Sequence, residues 1–307
     1  MHALDILFFM RPMLLLPVWT VYLLFYDFCF PDQIISLSVA GDLASLSLIA
    51  AGAYVINQIF DIETDRINRK LGFFDPPVSL TLRQGWVIYA LLNLAALLYV
   101  AILRTGLFLP LSVMLAAGVL YSAPPIRAKD RPIPGLLFNG LSYSLFIFWS
   151  IAVGADRESI ISGSLLDVNL PLVSSMFLAI SAVYLMTTLT DAPGDRKTGK
   201  RTIGAVRGDR LSSSLAALMV AGSLALAYQV EFWPLSITAA LSLPLFLLAA
   251  FRGGVRITLL SAKFPILALT ALAAYQRPGY AVFCIALILL TRFYFKRRLG
   301  LSYPRLI

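Results

Sequence analysis

The chain has 307 residues, of which 59% are hydrophobic and only 13% charged, and its formal net charge is +9. Soluble domains usually carry about 25% charged residues, so this composition excludes a soluble enzyme. The long apolar blocks disfavour a β-barrel, whose strands would give short alternating segments, and no basic, aromatic-laced soluble module supports nucleic-acid binding.

The hydropathy pattern predicts an all-α polytopic transmembrane bundle of nine or ten spans, within one integral-membrane domain over residues 1–307. We expect the first span to be retained, because Asp5 and Arg11 interrupt a start that lacks the basic region of a signal peptide. The ninth span is the least regular, since Lys263 lies inside it and Pro265 follows. The predicted spans cover residues 8–30, 38–60, 85–103, 107–122, 134–154, 171–190, 211–230, 233–251, 257–275 and 279–295.

Basic residues are strongly biased to one side of these spans. Alternation places twenty Lys and Arg residues on the side that holds the segment after the second span. The opposite side holds three, namely Arg104, Arg157 and Arg277. Because cytoplasmic loops are enriched in Lys and Arg, we predict that the basic side faces the cytoplasm. Its internal segments are 61–84, 123–133, 191–210 and 252–256.

The first polar cluster lies at the end of the second span. Asn57, Asp61 and Asp65 are four residues apart, and a helix that turns about 100° per residue keeps them on one stripe about 80° wide. Glu63 would point nearly the other way. Carboxylates at the end of an apolar span need compensation, which a divalent cation held by carboxylate and amide oxygens would supply. The alternative is an ordinary solvated helix end, with acids and bases paired at the membrane surface.

The second polar cluster lies at the end of the sixth span. Asp191 and Asp195 are again four residues apart, and Pro193 with Gly194 predicts an interruption of the helix. Acidic side chains for a metal beside basic side chains for phosphate suit a metal–diphosphate. The alternative is a basic loop that carries two aspartates by chance. The basic residues that follow are Arg196, Lys197, Lys200 and Arg201.

The composition also restricts the kind of metal. The two cysteines, Cys29 and Cys284, each lie in or beside an apolar block, and the one histidine, His2, is near the N-terminus. This usage excludes a disulfide framework, a His-ligated zinc site and a histidine general base. Oxygen ligands favour Mg²⁺ or a similar hard cation.

Three motifs together carry a family resemblance. They are Asn57-x3-Asp61-x3-Asp65 followed by Arg66-Ile67-Asn68, then Asp191-x3-Asp195-Arg196-x2-Gly199, and the loop Tyr121-Ser122-Ala123-Pro124-Pro125-Ile126-Arg127-Ala128-Lys129. In this membrane context they resemble the UbiA superfamily of intramembrane prenyltransferases, and Arg11-Pro12 before the first span also fits.

This resemblance implies a helical bundle around a central cavity, with Mg²⁺ as cofactor. It implies transfer of a prenyl group from an allylic polyprenyl diphosphate to a small acceptor, an aromatic ring or a hydroxyl, within the membrane. Asp191 is the carboxylate proposed to assist deprotonation of the acceptor.

The resemblance also implies a set of site residues. Spacing leaves Arg127 and Lys129 as alternatives for one phosphate contact, because Pro124-Pro125 alters the loop. The implied metal ligands are Asn57, Asp61, Asp65, Asp191 and Asp195, and the four aspartates are also the implied catalytic residues. The implied substrate contacts are Asn57, Arg66, Tyr121, Arg127, Lys129 and Lys197.

The chain departs from the family pattern in two respects. Arg69-Lys70-Leu71-Gly72 stands where many members carry a stretch like Arg-Pro-Ile-Pro-Ser-Gly, which weakens an assignment to the quinone or chlorophyll branches. The family commonly has nine spans, whereas the charge pattern favours ten.

Two other functions stay open from the sequence. One is an ion-coupled transporter, although its charges would lie near the bilayer midplane. The other is a membrane terpene cyclase that uses the same donor without a second substrate.

Overall fold

The computed structural model describes residues 3–67, 72–154 and 164–304, and these residues contain helices and no β-strand. Asn68, Arg69, Lys70, Arg157 and Arg305, which entered the motif and charge predictions, lie outside the described residues. In chain order the α-helices are α1 (Ala3–Phe9), α2 (Leu16–Cys29), α3 (Leu37–Ile67), α4 (Leu82–Leu103), α5 (Phe108–Ser122), α6 (Pro132–Tyr143), α7 (Leu145–Gly154), α8 (Ser164–Lys197), α9 (Ile203–Arg207), α10 (Asp209–Gln229), α11 (Trp233–Arg252), α12 (Val255–Gln276) and α13 (Pro278–Leu299).

Ten helical stretches of the described chain are long and apolar enough to cross a membrane, which confirms the predicted all-α polytopic fold. Each lies close to a predicted span, and α6 and α7 together form the fifth. The irregular ninth span is one helix, α12, which continues through Lys263 and Pro265. The second and sixth spans extend beyond their predicted ends, to Ile67 and Lys197. Both extensions carry an aspartate cluster.

The interruption predicted at Pro193 and Gly194 is wrong, because α8 is helical through both residues. Proline in a helix interior costs about 3 kcal/mol, since it removes a donor and crowds the preceding turn. Contacts at the end of α8 oppose this cost. The backbone N–H of Thr198 donates to Gly194 O at 3.1 Å, and that of Lys200 donates to Asp195 O at 2.9 Å. These bonds satisfy carbonyls that a helix end leaves without intrahelical partners.

The chain forms two compact units. The first consists of Met1–Trp19, Ile34–Ile126 and Ala274–Leu306, and the second contains Thr20–Gln33 and Arg127–Ala273. Helices α1, α3, α4, α5 and α13 belong to the first unit, whereas α6 to α11 and most of α12 belong to the second. The single domain expected over residues 1–307 stays a prediction.

The core of the first unit joins the start of the chain to its end. Phe8 of α1 stacks on Tyr294 of α13 with ring centroids 4.1 Å apart. Phe9 meets Phe74 edge-on at 5.5 Å. Aromatic pairs in these arrangements add to the free energy gained by burying their area. The N-terminal segment is therefore built into the unit beside the end of α3. The buried members are Phe8, Phe9, Val55, Ile59, Phe73, Val78, Leu80, Ile88, Tyr294 and Phe295.

The core of the second unit depends on small residues that let helices approach closely. A Cβ on Gly204 would lie 2.8 Å from Thr188 O, so only glycine allows α9 to lie this near α8. Small residues at interfaces are the usual means of close packing between membrane helices. The contact fixes α9 against the last turns of α8, where the second aspartate cluster lies. The buried members are Leu136, Ala182, Leu185, Met186, Leu189, Ile203, Ala216, Ala217, Val220, Ala239, Phe246, Ala249 and Ala262.

Candidate active site

The first aspartate stripe occupies the last turns of α3, as the four-residue spacing predicts. Asn57, Asp61 and Asp65 are all partly buried, whereas Glu63 is exposed. The stripe therefore presents three oxygen-bearing side chains on a partly covered face, and the acid on the other face meets solvent. This placement supports a hard-cation ligand set better than a uniformly solvated helix end.

Asp65 has a basic neighbour that the sequence-based site omitted. The Nη2 atom of Arg11 lies 3.9 Å from Asp65 Oδ2, and both side chains are partly exposed. Arg11 has a left-handed backbone with φ 53° and ψ 57°, directly before Pro12. In the sequence, only the dipeptide Arg11-Pro12 drew attention to this residue, as part of the family resemblance. It could not reveal the contact with Asp65, which is distant in sequence.

Arg66, a predicted phosphate contact, is held by another carboxylate. Its Nε and Nη2 donate to Asp75 Oδ1 at 3.0 and 2.7 Å. The hydrogen bond from Arg66 lowers the pKa of the Asp75 carboxyl below its ordinary value. The Arg66 side chain is 57% exposed, so this pair is a surface ion pair, and its net contribution to stability is small. A phosphate at Arg66 would have to share or displace Asp75.

The second stripe lies on the last turns of α8. Asp191 is partly buried, and Asp195 is only 6% exposed. The hydroxyl of Thr202 donates to Asp195 Oδ2 at 2.9 Å and accepts from the backbone N–H of Ala205 at 3.4 Å. Thr202 is thus both a partner of the carboxylate and the N-cap of α9. A buried carboxylate is tolerated only with such partners.

Asp130, which belongs to none of the sequence motifs, connects the basic segment around Arg127 with the one around Lys200. Its Oδ2 lies 2.9 Å from Arg127 Nε, and its Oδ1 lies 3.9 Å from Lys200 Nζ. The backbone N–H of Arg201 donates to Asp130 O at 3.0 Å. The only sequence signal was an acid three residues after Arg127. The loop after α5 is therefore tied to the loop that follows the second stripe.

The other predicted substrate contacts have different surroundings. Lys129 is 7% exposed, whereas Lys197, the last residue of α8, is exposed. Arg127 has a left-handed φ of 40° and is 30% exposed. Tyr121 is partly buried near the end of α5, in the first unit. Arg127 and Lys129 both remain candidates for the phosphate contact.

Both stripes lie at the negative end of a helix. Asp65 is two residues before the end of α3 at Ile67, and Asp195 is two residues before the end of α8 at Lys197. The dipole of a helix disfavours anions in its last turn, so these carboxylates call for a cation. Within the described residues, no group of three Asp, Glu, His or Cys side chains is close enough to hold a metal by itself. Mg²⁺ fits such a set, because it usually takes one or two carboxylates and completes its shell with phosphate and water oxygens.

The described residues form ten helical stretches of membrane-spanning length, two of which carry paired aspartates at their ends, and this arrangement suits an intramembrane transferase that acts on a metal-bound diphosphate. Residues 14–262 match the model of the UbiA prenyltransferase family, which is most of the chain. The chain therefore belongs to the UbiA prenyltransferase family, as its motifs predicted, and its enzyme class is prenyltransferase.

Curated relatives include two kinds of prenyltransferase. The digeranylgeranylglyceryl phosphate synthase of Methanoculleus marisnigri is 29% identical over 216 residues, covering 68% of this chain and 72% of that protein. The chloroplastic 2-acyl-4-prenylphloroglucinol 6-prenyltransferase of Humulus lupulus is 26% identical over 244 residues, covering 77% of this chain and 50% of that protein.

Solved structures share the fold. A UbiA homolog from Archaeoglobus fulgidus bound to GPP and Mg²⁺ superposes with a TM-score of 0.65 at 19% identity, covering 87% of this chain and 99% of that one. A structure of a digeranylgeranylglyceryl phosphate synthase gives a TM-score of 0.64 at 19% identity, covering 88% and 95%. At this identity the likeness supports the helical membrane fold.

Proposed function

We propose that this chain catalyses Mg²⁺-dependent transfer of a prenyl group from an allylic polyprenyl diphosphate to a small acceptor within the membrane, with release of diphosphate. The acceptor is an aromatic ring or a hydroxyl. The observation that carries the proposal is the repeated stripe: α3 and α8 each end in two aspartates four residues apart on a partly buried face. Relatives named for a glyceryl phosphate and for a phloroglucinol support both acceptor classes.

The proposed metal ligands are the side-chain oxygens of both stripes, which would bind Mg²⁺ together with diphosphate oxygens. Bound Mg²⁺ supplies charge neutralisation for the diphosphate leaving group. The solved family member with GPP and Mg²⁺ supports this choice of ion and donor. Each stripe offers two carboxylates at the negative end of a helix. These can bind a hard cation whose coordination shell phosphate oxygens would complete. The ligands are Asn57, Asp61, Asp65, Asp191 and Asp195.

Basic and hydroxyl side chains are proposed to bind the diphosphate oxygens. Positive charge fixed near the leaving group stabilises the charge that develops as the C–O bond breaks. Arg127 and Lys129 are the alternatives that the tyrosine-to-lysine loop offers for one contact, and Asp130 Oδ2 lies 2.9 Å from Arg127 Nε. The proposed contacts are Arg66, Tyr121, Arg127, Lys129 and Lys197.

The bond changes follow from the donor. The allylic C–O bond breaks, and its electron pair leaves with the diphosphate oxygen. The acceptor carbon or oxygen then bonds to the allylic carbon and loses a proton, for which Asp191 is the proposed base. Water must be excluded while the allylic cation exists, which an apolar helical surround favours.

We also propose that both stripes face the cytoplasm. The support is the bias of Lys and Arg to the segments that follow the second, fourth, sixth and eighth spans. A soluble-phase Mg²⁺ pool and a released diphosphate both suit that side.

The test is incubation of the purified chain in lipid nanodiscs with Mg²⁺, labelled geranylgeranyl diphosphate and a panel of aromatic and glyceryl phosphate acceptors. We expect a labelled conjugate and one diphosphate per conjugate, both abolished by EDTA. Diphosphate release with a cyclic hydrocarbon from donor alone would instead establish the cyclase. Ion-driven uptake without diphosphate release would establish the transporter.

A further inference from the structure

The two ends of the chain are joined by a buried ionic cluster in the first unit. Asp5 of α1 is fully buried and accepts from the phenol of Tyr294 at 2.8 Å. Arg298 donates to the same carboxylate through Nε and Nη2, each at 3.2 Å. We name Asp5, Tyr294 and Arg298 the terminal clamp. Because Phe8 also stacks on Tyr294, the clamp fixes α1 on α13 by both polar and apolar contacts.

The clamp is continuous with the segment that carries Arg11. The amide of Gln58 donates to Phe9 O at 2.8 Å in a buried contact. On the far side, the phenol of Tyr54 donates to Leu14 O at 2.8 Å. Two side chains of α3 thus hold the backbone two residues before and three residues after Arg11. The same helix carries the first aspartate stripe.

The backbone of Arg11 is strained. Its φ of 53° lies in the left-handed region, which residues with a Cβ rarely adopt. Such a conformation persists only where the surroundings over-determine it, and strain of this kind concentrates at functional sites. Here the strained residue directs a guanidinium to Asp65, with Nη2 3.9 Å from Oδ2.

We propose that the terminal clamp is a positioning device for Asp65, acting through Arg11. This rests on the proposed function, in which Asp65 is a ligand of the Mg²⁺–diphosphate. The three clamp residues are positioning residues, because in this proposal they act on Asp65 through Arg11. They lie outside residues 14–262, the range of the family match.

A matched control exists in the same unit. Arg104 donates to Asp42 through Nε and Nη2 at 2.7 and 2.6 Å, and Asp42 is 4% exposed. This ion pair is as buried as the clamp, but it lies near the start of α3, whereas the stripe lies at its end. If the loss of a buried ion pair only destabilised the first unit, variants at the clamp and at Arg104 should have the same effect on activity.

The experiment compares Arg298→Gln and Tyr294→Phe with Arg104→Gln in nanodiscs. We expect the clamp variants to raise the Mg²⁺ concentration for half-maximal rate about tenfold, the effect usual for residues that support metal ligands, with kcat changed less. Arg104→Gln should leave that concentration within about twofold of wild type while lowering the unfolding temperature as much. Tyr294→Phe removes one hydroxyl and decides the matter if Arg298→Gln does not fold.

A readout independent of turnover uses Mg²⁺ with inorganic pyrophosphate as the probe. Wild type and Arg104→Gln should show the same rise in unfolding temperature on adding the probe, and the clamp variants a smaller one. Arg11→Gln combined with Arg298→Gln should be no worse than Arg11→Gln alone, because both act on Asp65 through one route.

Equal shifts in the clamp variants and Arg104→Gln, or additive effects of Arg11→Gln and Arg298→Gln, would overturn the positioning role. With an active wild type, those results would leave the prenyl transfer intact. A wild type that releases no diphosphate would overturn the transfer itself and the clamp role with it.

Discussion

Thr202 and Asp195 are joined across the loop after α8, where the threonine hydroxyl donates to the carboxylate at 2.9 Å. This contact keeps a buried carboxylate satisfied and turns the chain back toward the end of its own helix. We predict that Thr202→Val destabilises the protein by about 1–3 kcal/mol, because it removes one hydrogen-bond donor from a buried carboxylate. Thermal unfolding measures the loss. Thr202→Ser retains the hydroxyl and should be close to wild type, so equal losses in both variants would contradict this role.

Asp61→Ala and Asp191→Ala test the two stripes separately. If each carboxylate holds the metal–diphosphate, either variant should lower kcat more than about 100-fold, beyond the usual effect of residues that only support ligands. Because both side chains are only partly buried, the folded state should largely survive. Diphosphate release and size-exclusion profiles measure the two effects.

Glu63→Ala is the control for these variants, since Glu63 is an exposed acid on the same turn as Asp61. It should keep wild-type activity. Full activity in Asp61→Ala or Asp191→Ala would remove that residue from the site.

Gly204→Ala should loosen α9 from α8. The added Cβ would lie 2.8 Å from Thr188 O, and a backbone atom cannot move aside as a flexible side chain can. Overpacking of this kind costs about 1–3 kcal/mol. Gly279→Ala, where nothing lies within 4 Å of the added Cβ, is the control. We expect a lower unfolding temperature in the first variant alone, and similar values in both would speak against the close approach.

The Arg66–Asp75 pair predicts a dependence of stability on acid. Arg66 lowers the pKa of Asp75, so the folded state binds this proton less readily than the unfolded state. The contribution of this pair to the free energy of unfolding is complete above the ordinary Asp pKa of about 3.9. It is lost as the pH falls through the lowered pKa of Asp75 in the folded state. Between about pH 5 and 2 the wild type should therefore lose more stability than Asp75→Asn. Parallel unfolding curves for the two proteins would refute the pairing.

The cytoplasmic placement can be tested by labelling single cysteines at Arg83 and Glu231, with Cys29 and Cys284 replaced by serine. Both positions are exposed: Arg83 is at the start of the third span and Glu231 lies between the seventh and eighth, and the span order assigns these two places to opposite sides. An impermeant maleimide should reach position 231 in intact cells and position 83 only in inverted vesicles. The reverse pattern would invert the proposed orientation.

The sequence was sufficient to locate the membrane spans, although not to decide between nine and ten, because hydrocarbon thickness fixes the length of a helix that crosses it. The stripe on α3 was equally accessible, since helical spacing determines which side chains share a face. The continuous helix through Pro193 and Gly194 could not be predicted from the sequence. Backbone hydrogen bonds from Thr198 and Lys200 oppose the low helix propensity of these two residues.

Contacts between distant segments were also beyond the sequence. Asp5 meets Arg298 from the opposite end of the chain, and Arg11 meets Asp65 from a different helix. No periodicity records such pairs, which depend on how the helices of the first unit pack.

The buried pair of Asp42 and Arg104 also bears on the vertical position of α3. No charged residue lies between Asp42 and Asp61, and 19 residues of helix rise about 28 Å, close to the roughly 30 Å depth of bilayer hydrocarbon. A shift of α3 along the membrane normal in either direction would move a charged residue into the hydrocarbon core. The two charged positions therefore fix the depth of α3 in the bilayer, which keeps Asp61 at the level of the lipid headgroups. A prenyl diphosphate could then keep its anionic headgroup hydrated beside Asp61 while its isoprenoid chain stays in the hydrocarbon core.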